Sequence, residues 1–146
     1  AALIDQVDFL AFTGSVATGR RVAEAAARAF IPASLELGGK DPLIVLETAD
    51  ADQAAEVALR ASVLNNGQAC QSIERVYVAR NIAAPFIHAL VEKAQEVRLN
   101  YPNLHAGDIG PFIFGRQADI VQRQIDEAVA SGARLLCGGE VVTLGG

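Results

Sequence analysis

DFLAFTGSVATGRRVAEAAARAFIPASLEL, residues 8–37, reads as strand, turn, helix and strand in direct succession. Asp8–Thr13 is a short apolar run of strand type that breaks at Gly14. Ser15 is a good N-cap, and Val22, Ala26 and Ala29/Phe30 recur at helical spacing, which predicts a helix over Val16–Phe30. Pro32 cannot continue that helix, and Ser34–Leu37 follows as a second short strand. Strands that alternate with helices in this way define an α/β protein.

The same alternation continues downstream. Gly38-Gly39 turns the chain and marks the junction between two structural units, expected as residues 1–38 and 39–146. Pro42–Leu46 is a continuous apolar run of buried-strand type. Asp50 or Asp52 caps a helix over Ala51–Leu64, which Asn65-Asn66-Gly67 ends. Arg75–Ala79 is strand-like, and Ile82–Leu99 is an amphipathic helix with Phe86, Leu90, Val91, Ala94 and Val97 on one side. A loop around Tyr101–Gly110 leads to a helix over Gln117–Ser131 and a short strand over Arg134–Cys137, closed by Gly138-Gly139. There is no internal repeat or low-complexity tract. The fold class expected is α/β, a largely parallel sheet with flanking helices.

Composition narrows the function classes. With 51% hydrophobic and 20% charged residues in 146, the chain is globular in type, not disordered. A net charge of −5 without any Lys/Arg-rich run argues against nucleic acid and against an anionic membrane as partners. No apolar run approaches the length of a membrane span, and the N-terminus lacks the pattern of a signal peptide. Two cysteines are too few for a disulfide framework, so a cytoplasmic setting is expected. No metal site is expected. The absence of any Met implies either processing or a section of a longer polypeptide.

Three short stretches carry potential chemistry. In Phe12-Thr13-Gly14-Ser15 a strand ends at a glycine and opens into a helix, whose N-terminal N–H groups attract phosphate. Gly-Ser at such a turn is also ordinary capping chemistry. In Leu35-Glu36-Leu37-Gly38-Gly39-Lys40 the carboxyl of Glu36 stands between two leucines. Desolvation there would raise its pKa toward the range of a general base, unless Glu36 faces solvent or pairs with Lys40. In Asn65-Asn66-Gly67-Gln68-Ala69-Cys70 a cysteine occupies a polar, glycine-containing loop, where a thiol is accessible and open to backbone donors. Cys137, in an apolar stretch, reads as an inert core residue.

Taken together, FTGS, ELGGK and GQAC occur in the order and approximate spacing of the NAD(P)-dependent aldehyde dehydrogenases, and the chain resembles that family along essentially its whole length. Glu36 and Cys70 lie 34 residues apart, similar to the family's separation of base and nucleophile. Arg75, Gly110-Pro111 and Gly132-Ala133-Arg134 are weaker echoes. The resemblance implies that residues 1–38 are a remnant of the dinucleotide-binding domain and 39–146 the N-terminal part of the catalytic domain. It further implies Cys70 as the nucleophile, with its own backbone N–H as one oxyanion donor, and Glu36 as the base that activates water. Gly14 and Ser15 then contact the cofactor diphosphate, and Leu37 and Gly38 border the nicotinamide of NAD or NADP.

The implied reaction is oxidation of a small-molecule aldehyde to an acid through a cysteine thiohemiacetal and thioester. Complete members of the family are much longer. The asparagine that supplies a second oxyanion donor, the lysine on the adenosine ribose and the glutamate on the nicotinamide ribose have no counterpart here. Two other functions are therefore weighed beside the first: a cofactor-independent esterase or thiol acyl-transfer activity, and a non-catalytic interaction module. A sheet cut from a larger one leaves open edges, so a homo-oligomer is expected.

Overall fold

The computed structural model describes residues 3–103 and 105–144, which form two compact units, Ala1–Lys40 and Asp41–Gly146. In the first, a short 3-10 helix at Ile4–Gln6 precedes strand β1 (Leu10–Thr13), helix α1 (Val16–Arg28) and strand β2 (Ala33–Glu36). β1 and β2 pair in parallel, with Leu10 opposite Ala33 and Thr13 opposite Glu36. α1 packs against both strands and buries Gly19 and Ala26.

Local chemistry explains both ends of α1. The Ser15 hydroxyl accepts a hydrogen bond from the Thr18 N–H at 3.2 Å, satisfying one of the donors that a helix start leaves open. At the other end the helix stops at Arg28, two residues earlier than its apolar spacing predicts. Phe30 turns to a φ of 57°, and the N–H groups of Phe30 and Ile31 donate back to Ala27 and Ala26, each at 3.1 Å. This is a Schellman closure in which a phenylalanine occupies the position usually held by glycine.

The second unit holds β3 (Asp41–Val45), α2 (Ala51–Val63), β4 (Ile73–Val78), α3 (Ala83–Gln95) and α4 (Arg116–Ala130). β3 and β4 form a second parallel pair, with Ile44 opposite Tyr77 and an irregularity between Asp41 and Pro42. The parallel α/β architecture read from the sequence is thus present, as a two-stranded sheet in each unit. Asp50, not Asp52, caps α2, its Oδ1 accepting from the Gln53 N–H at 2.8 Å. The core gathers Val45, Ala55, Ala58 and Phe86, where small alanines on α2 let α3 approach closely. Lys93 of α3 clasps α2 from outside, its Nζ 3.0 Å from Asp52 and 3.7 Å from Glu56.

Two sequence expectations are corrected here. The helix predicted through Leu99 ends at Gln95, because tertiary partners capture the residues beyond it. The Arg98 N–H donates to the Asp108 carboxylate at 2.9 Å, and Leu99 forms a parallel bridge to Ile109. The strand predicted over Arg134–Cys137 does not form. Leu135 and Leu136 are about half exposed, and no described strand lies alongside to complete their hydrogen bonds. No described helix is long and apolar enough to cross a membrane.

Candidate active site

In the first unit, five of the six predicted site residues converge on one end of the β1–β2 pair. Gly14 follows β1, and its N–H donates to the carbonyl of Glu36, the last residue of β2, at 3.0 Å. That single bond ties the Gly14-Ser15 turn to the Glu36-Leu37-Gly38 segment. Both lie at the carboxyl ends of neighbouring parallel strands, the edge where α/β sheets bind ligands.

Glu36 differs from expectation in its surroundings. It is exposed, whereas Leu35 and Leu37 on either side are partly buried. Strand alternation is the reason: the leucines face α1, so Glu36 must face away from it. The predicted desolvation of this carboxyl is therefore absent in the described chain. Leu37 seats itself over Gly19 of α1, and a Cβ added at Gly19 would lie 2.6 Å from Leu37 Cδ2 and 2.9 Å from Cδ1. Sequence reading passed over Gly19, although a glycine inside a helix, where it costs about 1 kcal/mol against alanine, signals a packing demand.

The α1 N-terminus suits an anion. Its first turn carries no acidic residue, and Gly14, Ser15, Val16 and Ala17 are all exposed. The Ser15 hydroxyl donates to Thr18 Oγ1 at 3.0 Å and accepts from the Thr18 N–H, so its proton is available only by leaving Thr18. A Cβ at Gly14 would lie 2.6 Å from Phe12 Cζ and push on that ring. At Gly38 the opposite holds: nothing stands within 4 Å of a Cβ position, and φ lies outside the left-handed region. Neither backbone nor neighbours require glycine there, and the backbone is open to its surroundings. The exposed N–H groups of the α1 start suit an anion of the diphosphate kind.

In the second unit, Cys70 lies between α2 and β4, exposed, with its thiol 3.1 Å from the Gln71 side-chain oxygen. Cys137 is partly buried. The approach to Cys70 is conformationally unusual: Asn65, Asn66 and Gly67 have φ of 52°, 60° and 68° in succession. Asparagine tolerates this region better than most residues. Gly67 is required both by its φ and because a Cβ would stand 3.0 Å from the Ser62 carbonyl. Non-glycine residues held in sparsely populated conformations cost about 1–3 kcal/mol each and persist only where their surroundings fix them.

Those surroundings are a distant segment. Asn66 Oδ1 accepts from the Gly110 N–H at 2.7 Å, Gln68 Oε1 accepts from the Ile113 N–H at 2.9 Å, and Gln68 Nε2 donates to the Pro111 carbonyl at 3.3 Å. Beyond Cys70, the buried Ser72 accepts from the Ala69 N–H at 3.4 Å and returns its own N–H to the Ala69 carbonyl at 3.1 Å. Sequence reading marked Gly110-Pro111 only as a motif and missed Asn66 and Gln68. Two side-chain amides beside a cysteine were the available signal.

The 110–113 segment is itself held by an ion pair. The Arg98 Nε and Nη2 donate to Asp108 Oδ2 and Oδ1 at 3.2 and 3.4 Å. Hydrogen bonds from the Arg98 side chain, then from its backbone N–H, hold the Asp108 carboxyl below the usual aspartate range.

The sequence profile of the aldehyde dehydrogenase family matches residues 2–145, and the chain belongs to that family. A Mycobacterium bovis protein that bears the name of a succinate-semialdehyde dehydrogenase of the NADP(+) type is 42% identical over 139 residues, covering 95% of this chain and 27% of the relative. A solved structure from Anabaena variabilis, described as an aldehyde dehydrogenase, superposes with a TM-score of 0.92 at 54% identity, over 97% of this chain and 30% of that one. An aldehyde dehydrogenase from Bacillus cereus, solved as its NAD+ complex, gives 0.91 at 33% identity, over 97% and 29%. The chain thus spans roughly a quarter to a third of the length of these relatives.

Proposed function

We propose that this chain serves oxidation of a small-molecule aldehyde to a carboxylic acid, with Cys70 as nucleophile and Glu36 as base. The observation that carries the reading is the Gly14–Glu36 hydrogen bond, which joins an anion-binding helix start to the carboxylate-bearing strand at one sheet end. Bound NAD or NADP would supply the hydride acceptor. Gly14 and the α1 N-terminus would hold its diphosphate, with Ser15 adding a hydroxyl, while Leu37 and Gly38 would border its nicotinamide.

Cys70 Sγ, as thiolate, adds to the aldehyde carbon, and the carbonyl oxygen becomes an oxyanion stabilised by the Cys70 backbone N–H. After the hydride has left that carbon, the acyl group remains on Sγ as a thioester. Glu36 takes a proton from water, the resulting hydroxide adds to the thioester carbon, and the C–S bond breaks to release acid and thiolate. The contribution of this exposed carboxylate rests on its orientation toward the water. The cytoplasm is the compartment proposed, on the two free thiols. Self-association is proposed as well, because Ile44, Leu46 and Tyr77 leave apolar surface exposed beside the second sheet.

The decisive experiment is Glu36→Gln. Incubated with an aldehyde and NAD or NADP, it should yield a burst of reduced cofactor, with the acyl adduct persisting on Cys70 by peptide mass mapping. Absence of any adduct on Cys70, in this variant and in the unsubstituted chain, would refute the nucleophile assignment. A burst whose adduct turns over as fast as in the unsubstituted chain would refute the base.

A further inference from the structure

We propose that Asn66 and Gln68 are positioning residues that hold the Cys70 backbone N–H where an oxyanion forms, an inference that rests on Cys70 being the nucleophile. Among the described residues the Cys70 N–H meets no acceptor, while the Ala69 N–H before it and the Ser72 N–H after it close on one another's residues. That N–H is open to a substrate oxygen, and the constrained loop fixes where it stands. The constraint does not come from local sequence. Three successive left-handed residues oppose it, and the opposing bonds come from residues 43 to 45 positions away.

Both polar ends of the Gln68 amide are consumed by backbone, one by the Pro111 carbonyl and one by the Ile113 N–H. Asn66 makes the shortest of the three bonds, at 2.7 Å. The receiving segment is steadied in turn by the Arg98–Asp108 pair and by the Asn100 N–H donating to Ile109 at 2.7 Å. Gln68 is two residues before Cys70, and Ser72, which closes the turn after it, is buried. The peptide carrying the Cys70 N–H is therefore fixed from both sides, while its thiol stays at the surface.

Two reactions of the same thiol test this without any cofactor. With p-nitrophenyl acetate, the Sγ–carbon bond forms, the ester C–O bond breaks and p-nitrophenolate leaves, passing through an oxyanion. With iodoacetamide, Sγ displaces iodide and no oxyanion forms. Asn66→Gly keeps the left-handed backbone but removes the acceptor. Gln68→Leu removes both amide contacts at a φ of −106°, which suits any residue.

Losing an oxyanion donor costs roughly 10²–10³ in rate, so loosening one should slow the acylation burst about tenfold. Alkylation should change by less than about twofold, and Asn66→Asp, which keeps the acceptor oxygen for the Gly110 N–H, should hold acylation to within about twofold of the unsubstituted chain. Equal slowing or equal acceleration of both reactions, or unchanged acylation in Asn66→Gly and Gln68→Leu, overturns the positioning role. If the unsubstituted chain shows no acylation of Cys70, the nucleophile assignment falls and the positioning role falls with it.

Discussion

Gly19→Ala sets helix propensity against packing, and the structure decides which prevails. In an exposed helix interior, alanine in place of glycine stabilises by roughly 0.8–1 kcal/mol. At Gly19 the new methyl would stand 2.6 and 2.9 Å from the two terminal carbons of Leu37, well inside van der Waals contact. Overpacking of this kind costs about 1–3 kcal/mol. Leu37 is partly buried over the glycine and can swing only partly aside, which puts the cost near the middle of that range, about 2 kcal/mol. The expected net effect is a loss of about 1 kcal/mol, opposite in sign to propensity.

The displaced side chain matters more than the free energy, because Leu37 lies between Glu36 and Gly38. Cofactor affinity should fall further than stability does. Urea denaturation of four proteins provides the assay: the unsubstituted chain, Gly19→Ala, Leu37→Ala and the double variant. In the Leu37→Ala background the clash is gone, and Gly19→Ala should stabilise by about 0.8–1 kcal/mol, reversing sign. Stabilisation by the same amount in both backgrounds would show that Leu37 is not seated on Gly19, and the packing account of the site would fail.

Phe30→Gly should stabilise the chain by about 1 kcal/mol, since Phe30 is held at a φ of 57° while 96% exposed, and loses almost no packing; a lower thermal midpoint would contradict this. Because the Asp108 carboxyl is depressed below its unfolded value, the Arg98–Asp108 clasp contributes stability above the ordinary aspartate range and loses it as pH falls through the lower, folded value. Amide protection at Ile109 and Gly110 should therefore drop selectively on acidification, and Asp108→Asn should flatten that dependence. Light scattering should give a mass above the 15.3 kDa of a single chain, and a monomer at micromolar concentration would count against self-association.

Much of the fold was legible because it is written in local chemistry. Glycine breaks β1, Ser15 and Asp50 accept from the first turns of their helices, and apolar residues at helical spacing need a face to bury. These signals act over a few residues and survive in any context, so element order and parallel pairing could be read directly. The order and spacing of FTGS, ELGGK and GQAC likewise carried the family resemblance, since motif chemistry requires particular residue types at particular turns. What failed depended on neighbours that sequence does not announce. The Arg134–Cys137 run has strand composition but no described strand beside it. α3 ends at Gln95 because Asp108 and Ile109 claim Arg98 and Leu99. Glu36 is exposed because alternation turns its leucine neighbours toward α1. The grip of Asn66 and Gln68 on residues 110–113 exists only once the chain has folded back on itself, for a side-chain amide names no partner until tertiary structure brings one within 3 Å or so.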